Sequence, residues 1–89
     1  MVLAICAIFR DEAPYLREWI EFHRIVGVER FYLYQNRSND DWRSALQPYI
    51  AEGIVEVTDW PLPAPCQLQA YQHFIDSHKG QPCFVAFID

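Results

Sequence analysis

The chain has 89 residues, with 12 acidic against 7 basic side chains and a formal net charge of −5 with histidine neutral. That is room for one small domain, and an acidic balance disfavours a nucleic-acid partner, whose phosphates demand a basic footprint. A hydrophobic share of 52% with 16% aromatics excludes a disordered chain, and three widely separated glycines exclude the glycine fingerprints of dinucleotide and P-loop sites.

Val2–Phe9 is continuously apolar, as suits a parallel strand covered on both faces. It has no positive residue ahead of it and no small-residue cleavage site behind it, so it does not read as a secretory leader, and it is too short to span a bilayer. Pro14 then opens a helix, a position where its missing N–H costs nothing. Along that helix Leu16, Trp19, Ile20 and His23 share an apolar face, while Arg17, Glu18, Glu21 and Arg24 face water. Gly27 ends it. Arg30–Gln35 is a second strand, rich in aromatics.

Asn36-Arg37-Ser38-Asn39-Asp40 has the composition of a turn, and its end supplies a helix N-cap. Trp42, Ala45, Leu46, Tyr49 and Ile50 follow at helical spacing. Pro48 interrupts them, which predicts a kink or two short pieces, and Gly53 closes the segment. Ile54–Thr58 alternates apolar and polar residues and reads as an edge strand. Trp60-Pro61-Leu62-Pro63-Ala64-Pro65 is a stiff extended loop. The third helix is expected over Gln67–Lys79, with Leu68, Tyr71, Ile75 and His78 on one face and Gly80 as its stop. Cys83–Ile88 is again continuously apolar and reads as a central strand.

The sum is β-α-β-α-β-α-β, and right-handed crossovers make it an α/β fold, a three-layer parallel sheet. Two fully apolar strands in the centre and an alternating one at the edge give the order 3-2-1-4, with the topological switch between strands one and four. The three cysteines, Cys6, Cys66 and Cys83, lack zinc-type spacing and have mostly apolar neighbours. They read as reduced thiols, and the compartment as cytoplasmic.

In such sheets ligands bind beyond the carboxyl ends of the strands, at the switch point. Arg10-Asp11-Glu12 follow the first strand, Gln35 to Asp40 the second, Asp59 and Trp60 the third, and Asp89 the fourth. Carboxylates and amides gathered at one edge are what a nucleotide site needs for base, ribose and a divalent ion on a diphosphate.

These residues also carry a resemblance. Phe9-Arg10-Asp11-Glu12-Ala13-Pro14-Tyr15-Leu16, then Glu18-Trp19-Ile20, His23, Gly27-Val28 and Phe31-Tyr32-Leu33-Tyr34 with Asn36 and Ser38, resemble the opening of family 92 glycosyltransferases and their family 2 relatives. Pro48-Tyr49-Ile50, Glu52-Gly53-Ile54-Val55 and Gln67-Leu68-Gln69-Ala70-Tyr71 match later stretches. Phe87-Ile88-Asp89 is similar to the strand leading into a D-x-D metal motif. The likeness runs through the whole chain in order and covers the first half of such an enzyme.

The resemblance implies the GT-A fold, whose first half is a Rossmann-like nucleotide-binding unit. It implies a nucleotide-sugar donor, UDP- or GDP-linked, and a divalent cation, Mn²⁺ or Mg²⁺. It sets Arg10, Asp11 and Glu12 near the nucleoside, Asn36, Ser38 and Asp40 along the pocket beside the second strand, and Gln67 and Tyr71 at the border of the donor site. Asp89 becomes the first D-x-D acid, near ribose and metal. Asp11 stands where the family usually has Asn, and Gln35 where it has Asp. With one metal carboxylate and neither acceptor-binding residues nor a catalytic base, this truncated unit is expected to bind a donor without transferring its sugar. A homodimer through the open fourth strand is a further expectation.

Blander roles remain open for the same residues. Glu12 also suits the dipole of the helix it precedes, Asn36 and Ser38 also form turns, and Asp40 also caps helices. His23 reads as a packed core histidine, and His73 and His78 as solvent-exposed. Trp60 either stacks on a base or packs its loop to the core. The alternative function is a stand-alone α/β binding module that kept the scaffold without catalysis. A signalling receiver fits poorly, for want of the acidic pair, the phosphorylatable Asp and the Lys it requires.

Overall fold

A computed structural model describes residues 2–63, 67–78 and 83–88, and the side chains of 3–63 and 68–78. The elements are β1 (Val2–Phe9), α1 (Ala13–Ile25), β2 (Arg30–Gln35), α2 (Trp42–Ala51), β3 (Val55–Asp59), α3 (Gln67–Ser77) and β4 (Cys83–Ile88). All strand pairs are parallel, in the order β3-β2-β1-β4. The alternating segment thus lies at one edge as β3, beginning at Val55 rather than Ile54. β4, expected to be central from its continuous apolar run, pairs among the described residues with β1 alone and ends the sheet on the other side. The α/β class and the parallel sheet expected from the alternation of elements are present.

β1 is apolar throughout because it is covered twice. Ile5, Ala7 and Phe9 meet Leu16 and Ile20 of α1 and Leu46 of α2 in one buried cluster with Phe31 and Leu33. Cys6, one residue out of phase, meets Tyr34 with Ala70 and Phe74 of α3 on the opposite face. The period-two alternation of a strand therefore feeds two cores from one segment.

Gly27 ends α1 at φ 108, a backbone region that L side chains rarely adopt, with its N–H on the Arg24 carbonyl and the next N–H on that of His23. Gly53, at φ 80, repeats the arrangement after α2.

Two helical expectations are corrected. α2 runs as a single helix through Pro48 and not as two short pieces. Both Pro48 and Ser44, whose carbonyl lacks the usual donor from residue 48, are exposed, so the helix survives the missing bond on its wet side. α3 ends at Ser77, short of Lys79, and its packed face is rotated from the one expected. Ala70 and Phe74 are buried, with Tyr71 and His78 half-buried, while Leu68 is 80% and Ile75 45% exposed. Cys66 and Gly80 lie outside the described residues, as does the side chain of Cys83. No helix among the described residues is long and apolar enough to cross a membrane.

Candidate functional site

The carboxyl edge of the sheet is built by loops that lock onto one another. Beyond the β1–β2 register the sheet is extended by the Asn36 N–H donating to the Phe9 carbonyl at 2.8 Å. The Asp11 N–H donates to Ser38 Oγ at 2.9 Å, and the Asn39 N–H donates back to Asp11 Oδ1 at 2.6 Å. Asp11 holds φ 54 and Arg37 φ 56, left-handed conformations that short polar residues such as Asp tolerate better than most. Arg10 and Asp11, both exposed, form a loose ion pair at 3.9 Å.

Asp40 caps a helix, though not the one that follows it. Its Oδ2 accepts the Ala13 N–H at 2.8 Å, closing the start of α1 from across the loop, while Asp41 caps α2 by accepting from the Ser44 N–H. Glu12 occupies the N-cap position of α1 without a side-chain bond; its carbonyl accepts from Tyr15 and Leu16. The Glu12 carboxylate is exposed.

The β2 and β3 ends are tied in the same manner. Gln35 donates from Nε2 to Asp59 Oδ1 at 3.0 Å and accepts the Ser38 N–H on Oε1 at 2.7 Å. A carboxylate at position 35 would have no donor to offer and would face Asp59 with like charge, so the amide suits this neighbour. Asn36, 5% exposed, donates from Nδ2 to the carbonyls of Trp60 and Leu62 at 2.8 and 2.9 Å and thereby fixes the proline-rich loop. The Trp60 ring packs edge-on against Tyr34, with centroids 5.3 Å apart, and lies 5.0 Å from His73. Loop-to-core packing is thus the role the structure gives Trp60. Two buried side-chain atoms, Asp40 Oδ1 and Trp60 Nε1, have no hydrogen-bond partner among the described residues.

Beside the loop after β1 lies a cavity of about 160 Å³, lined in part by Ala7, Phe9, Glu12, Tyr15, Trp19 and Leu33. Its walls are apolar and aromatic, and Glu12 is their acidic member. Tyr15 and Trp19 escaped notice as site residues because helical spacing accounts for Trp19 as core and gives Tyr15 no role. The usable signal was that the inward faces of β1 and α1 meet next to the strand's carboxyl end.

Of the residues singled out from the sequence, Arg10, Asp11, Glu12, Asn36, Ser38 and Asp40 are brought together at this edge. Tyr71 packs instead against the second buried cluster on the α3 face. The side chain of Gln67 and all of Asp89 lie outside the described residues. Among the described residues no group of three or more His, Cys, Asp and Glu side chains is placed to hold a metal ion.

The histidines divide. His23 packs on Trp19 and donates from Nδ1 to its carbonyl at 2.7 Å, but it is half-buried, at the margin of the core and not within it. His73 is exposed, yet its Nδ1 shares a 2.7 Å hydrogen bond with the Tyr34 hydroxyl. His78 is half-buried rather than exposed, stacked on Phe74 with centroids 4.2 Å apart. Burial, with the nearby Cys6 and Glu56 adding to it, pushes the Tyr34 hydroxyl up to about 12, and burial raises the Cys6 thiol to about 12. Cys6 is therefore an inert, protonated core thiol at neutral pH.

The chain is similar to known proteins of one family. The model of glycosyltransferase family 92 matches residues 1–89. A family 92 glycosyltransferase protein of Ricinus communis is 32% identical over 88 residues, covering 98% of this chain and 16% of the relative. One of Arabidopsis thaliana is likewise 32% identical over 88 residues, covering 98% of this chain and 15% of the relative. A third, of Oryza sativa, is 42% identical over 38 residues, covering 43% of this chain and 6% of the relative. The chain thus spans about a sixth of the length of the first two relatives, not the half that the resemblance suggested.

Proposed function

The chain belongs to glycosyltransferase family 92, and on that premise we propose that it is the donor-binding part of a GT-A glycosyltransferase, holding a nucleotide-sugar at the carboxyl edge of its sheet. The observation that carries this reading is the convergence of the loops after β1, β2 and β3 at that edge, beside an apolar cavity with Glu12 at its wall. The edge flanks the β1–β4 switch of the sheet, where open α/β sheets take their ligands.

Glu12 offers a carboxylate acceptor for donor groups on a base or ribose, Arg10 offers a cation to an anionic ligand, and Tyr15 with Trp19 supplies apolar surface for a planar ring. A divalent cation belongs to the same reading: Asp89 would offer it a carboxylate, and the cation would neutralise the diphosphate of the donor. Sugar transfer is left to whatever the relatives carry beyond the matched sixth of their length.

The test is an amide NMR titration of the isotope-labelled chain with UDP and Mg²⁺, with GDP as comparison. Shifts clustered at Arg10–Glu12 and along Asn36–Asp40 are expected. A well-dispersed spectrum that ignores both nucleotides would overturn the donor reading in favour of a binding module that kept the scaffold alone.

A further inference from the structure

The sequence offers six edge residues to a ligand, whereas the structure has already spent several of them on each other. Asp11 is engaged twice with the loop after β2: its N–H reaches Ser38 Oγ, and its Oδ1 takes the Asn39 N–H. Ser38 is engaged a second time through its own N–H on Gln35 Oε1. Asp40 gives one carboxylate oxygen to the Ala13 N–H, and its other oxygen is buried, with no surface to present to a ligand. Asp11 also holds a left-handed backbone at φ 54, a conformation that persists where the surroundings impose it. Arg10 and Glu12, the flanking residues, are exposed.

We infer that Asp11, Ser38 and Asp40 are positioning residues. They form a clasp between two loops that fixes the backbone of residues 10–12 and sets Arg10 and Glu12 toward the donor, without touching it themselves. This inference rests on the donor-site reading above and deepens it, because it divides the edge into residues that hold and residues that bind. The clasp needs an acceptor at position 11, not a charge; the charge serves only the loose, exposed 3.9 Å pair with Arg10, worth little in water. An asparagine keeps both the side-chain oxygen and the tolerance for a left-handed backbone, and alanine keeps neither.

The test compares Asp11→Asn with Asp11→Ala in the full chain, by amide hydrogen exchange without ligand and by titration with UDP and Mg²⁺. Asp11→Ala is expected to speed exchange at the Asn39 amide and to weaken UDP binding about tenfold, the size of one lost hydrogen bond. Asp11→Asn is expected to keep the Asn39 protection and to bind UDP within about twofold of the parent. If Asp11→Asn binds as weakly as Asp11→Ala while the Asn39 amide stays protected, the carboxylate meets the ligand and the inference falls. It falls equally if the parent's Asn39 amide exchanges as an open one.

Should the parent bind neither UDP nor GDP, the donor reading fails, and the clasp is then judged on exchange alone. Should Asp11→Ala not fold, Ser38→Ala against Ser38→Thr asks the same question. Thr, which keeps the hydroxyl, must preserve the slow exchange of the Asp11 amide, and Ala must lose it.

Discussion

The two faces of the sheet are closed by different chemistry. On the α1–α2 face the seal is large aliphatic and aromatic side chains, with Ile20 and Leu46 at 0% and Phe31 and Leu33 at 1% exposure. On the α3 face the buried set is smaller, Cys6, Tyr34, Ala70 and Phe74, and it is ringed by half-buried Tyr32, Trp60 and Tyr71. Four of its contacts run through histidine rings: Tyr34 and Trp60 to His73, and Tyr32 and Phe74 to His78. The first face is held by burial of hydrocarbon; the second combines a thin core with ring contacts and the Tyr34–His73 hydrogen bond. The carboxyl-edge loops are anchored to both, through α1 on one side and Trp60 on the other.

The largest effect should come from the first face. Phe31→Ala removes a fully buried ring that also packs on Trp19, centroids 5.6 Å apart, and is expected to lower stability by about 3–5 kcal/mol in urea unfolding. A loss under about 1 kcal/mol would mean that this face is not the principal core.

The second face should be more sensitive to added volume than its modest core suggests. Ala70 is 0% exposed where α3 meets the sheet, so Ala70→Leu pushes the helix outward and is expected to destabilise by about 1–3 kcal/mol. A neutral result would show that α3 rides loosely on β1.

Tyr34→Phe should come next, at about 1 kcal/mol, since it deletes the bond to His73 while leaving the ring in place. The same variant carries a signature in alkali. Folded Tyr34 and Cys6 keep their protons to about pH 12, whereas their ordinary values are 10.0 and 9.0. Between those limits the native state binds more protons than the unfolded chain, so stability is intact below about pH 9 and falls as pH rises toward 12. Tyr34→Phe should flatten that fall without abolishing it. Cys6 still contributes, and on the other face Tyr49 is also raised, by burial and by its bond to Glu21. A slope unchanged in Tyr34→Phe would show that the hydroxyl does not hold its proton through folding.

What the sequence made legible follows the same division. Continuous apolar runs marked β1 and β4, and the i, i+3, i+4 spacing of Leu16, Trp19, Ile20 and His23 marked the packed side of α1, because a face sealed by hydrocarbon writes its period into the chain. α3 misled for the converse reason. Its most apolar residues, Leu68 and Ile75, are not those that touch the sheet, and a small residue, Ala70, marks the contact. At the edge the sequence located the right loops but not the division of labour. Asp40 capping a helix 27 residues away, or Gln35 tying Ser38 to Asp59, depends on the fold and leaves no local spacing to read.

Leu68 supplies the finest test of this comparison. If the second face were sealed by hydrophobic periodicity, as the first is, Leu68 would be a core residue and Leu68→Gln would cost several kcal/mol. With the side chain 80% exposed and α3 packed through Ala70 and Phe74, little apolar area leaves a buried environment on substitution. Glutamine also forms helices about as readily as leucine, so the backbone loses almost nothing. Leu68→Gln is therefore expected to change stability by less than about 0.5 kcal/mol in the 89-residue chain, measured beside Ala70→Leu under the same conditions. A loss approaching that of Ala70→Leu would place Leu68 against the sheet and restore to α3 the face its sequence suggests.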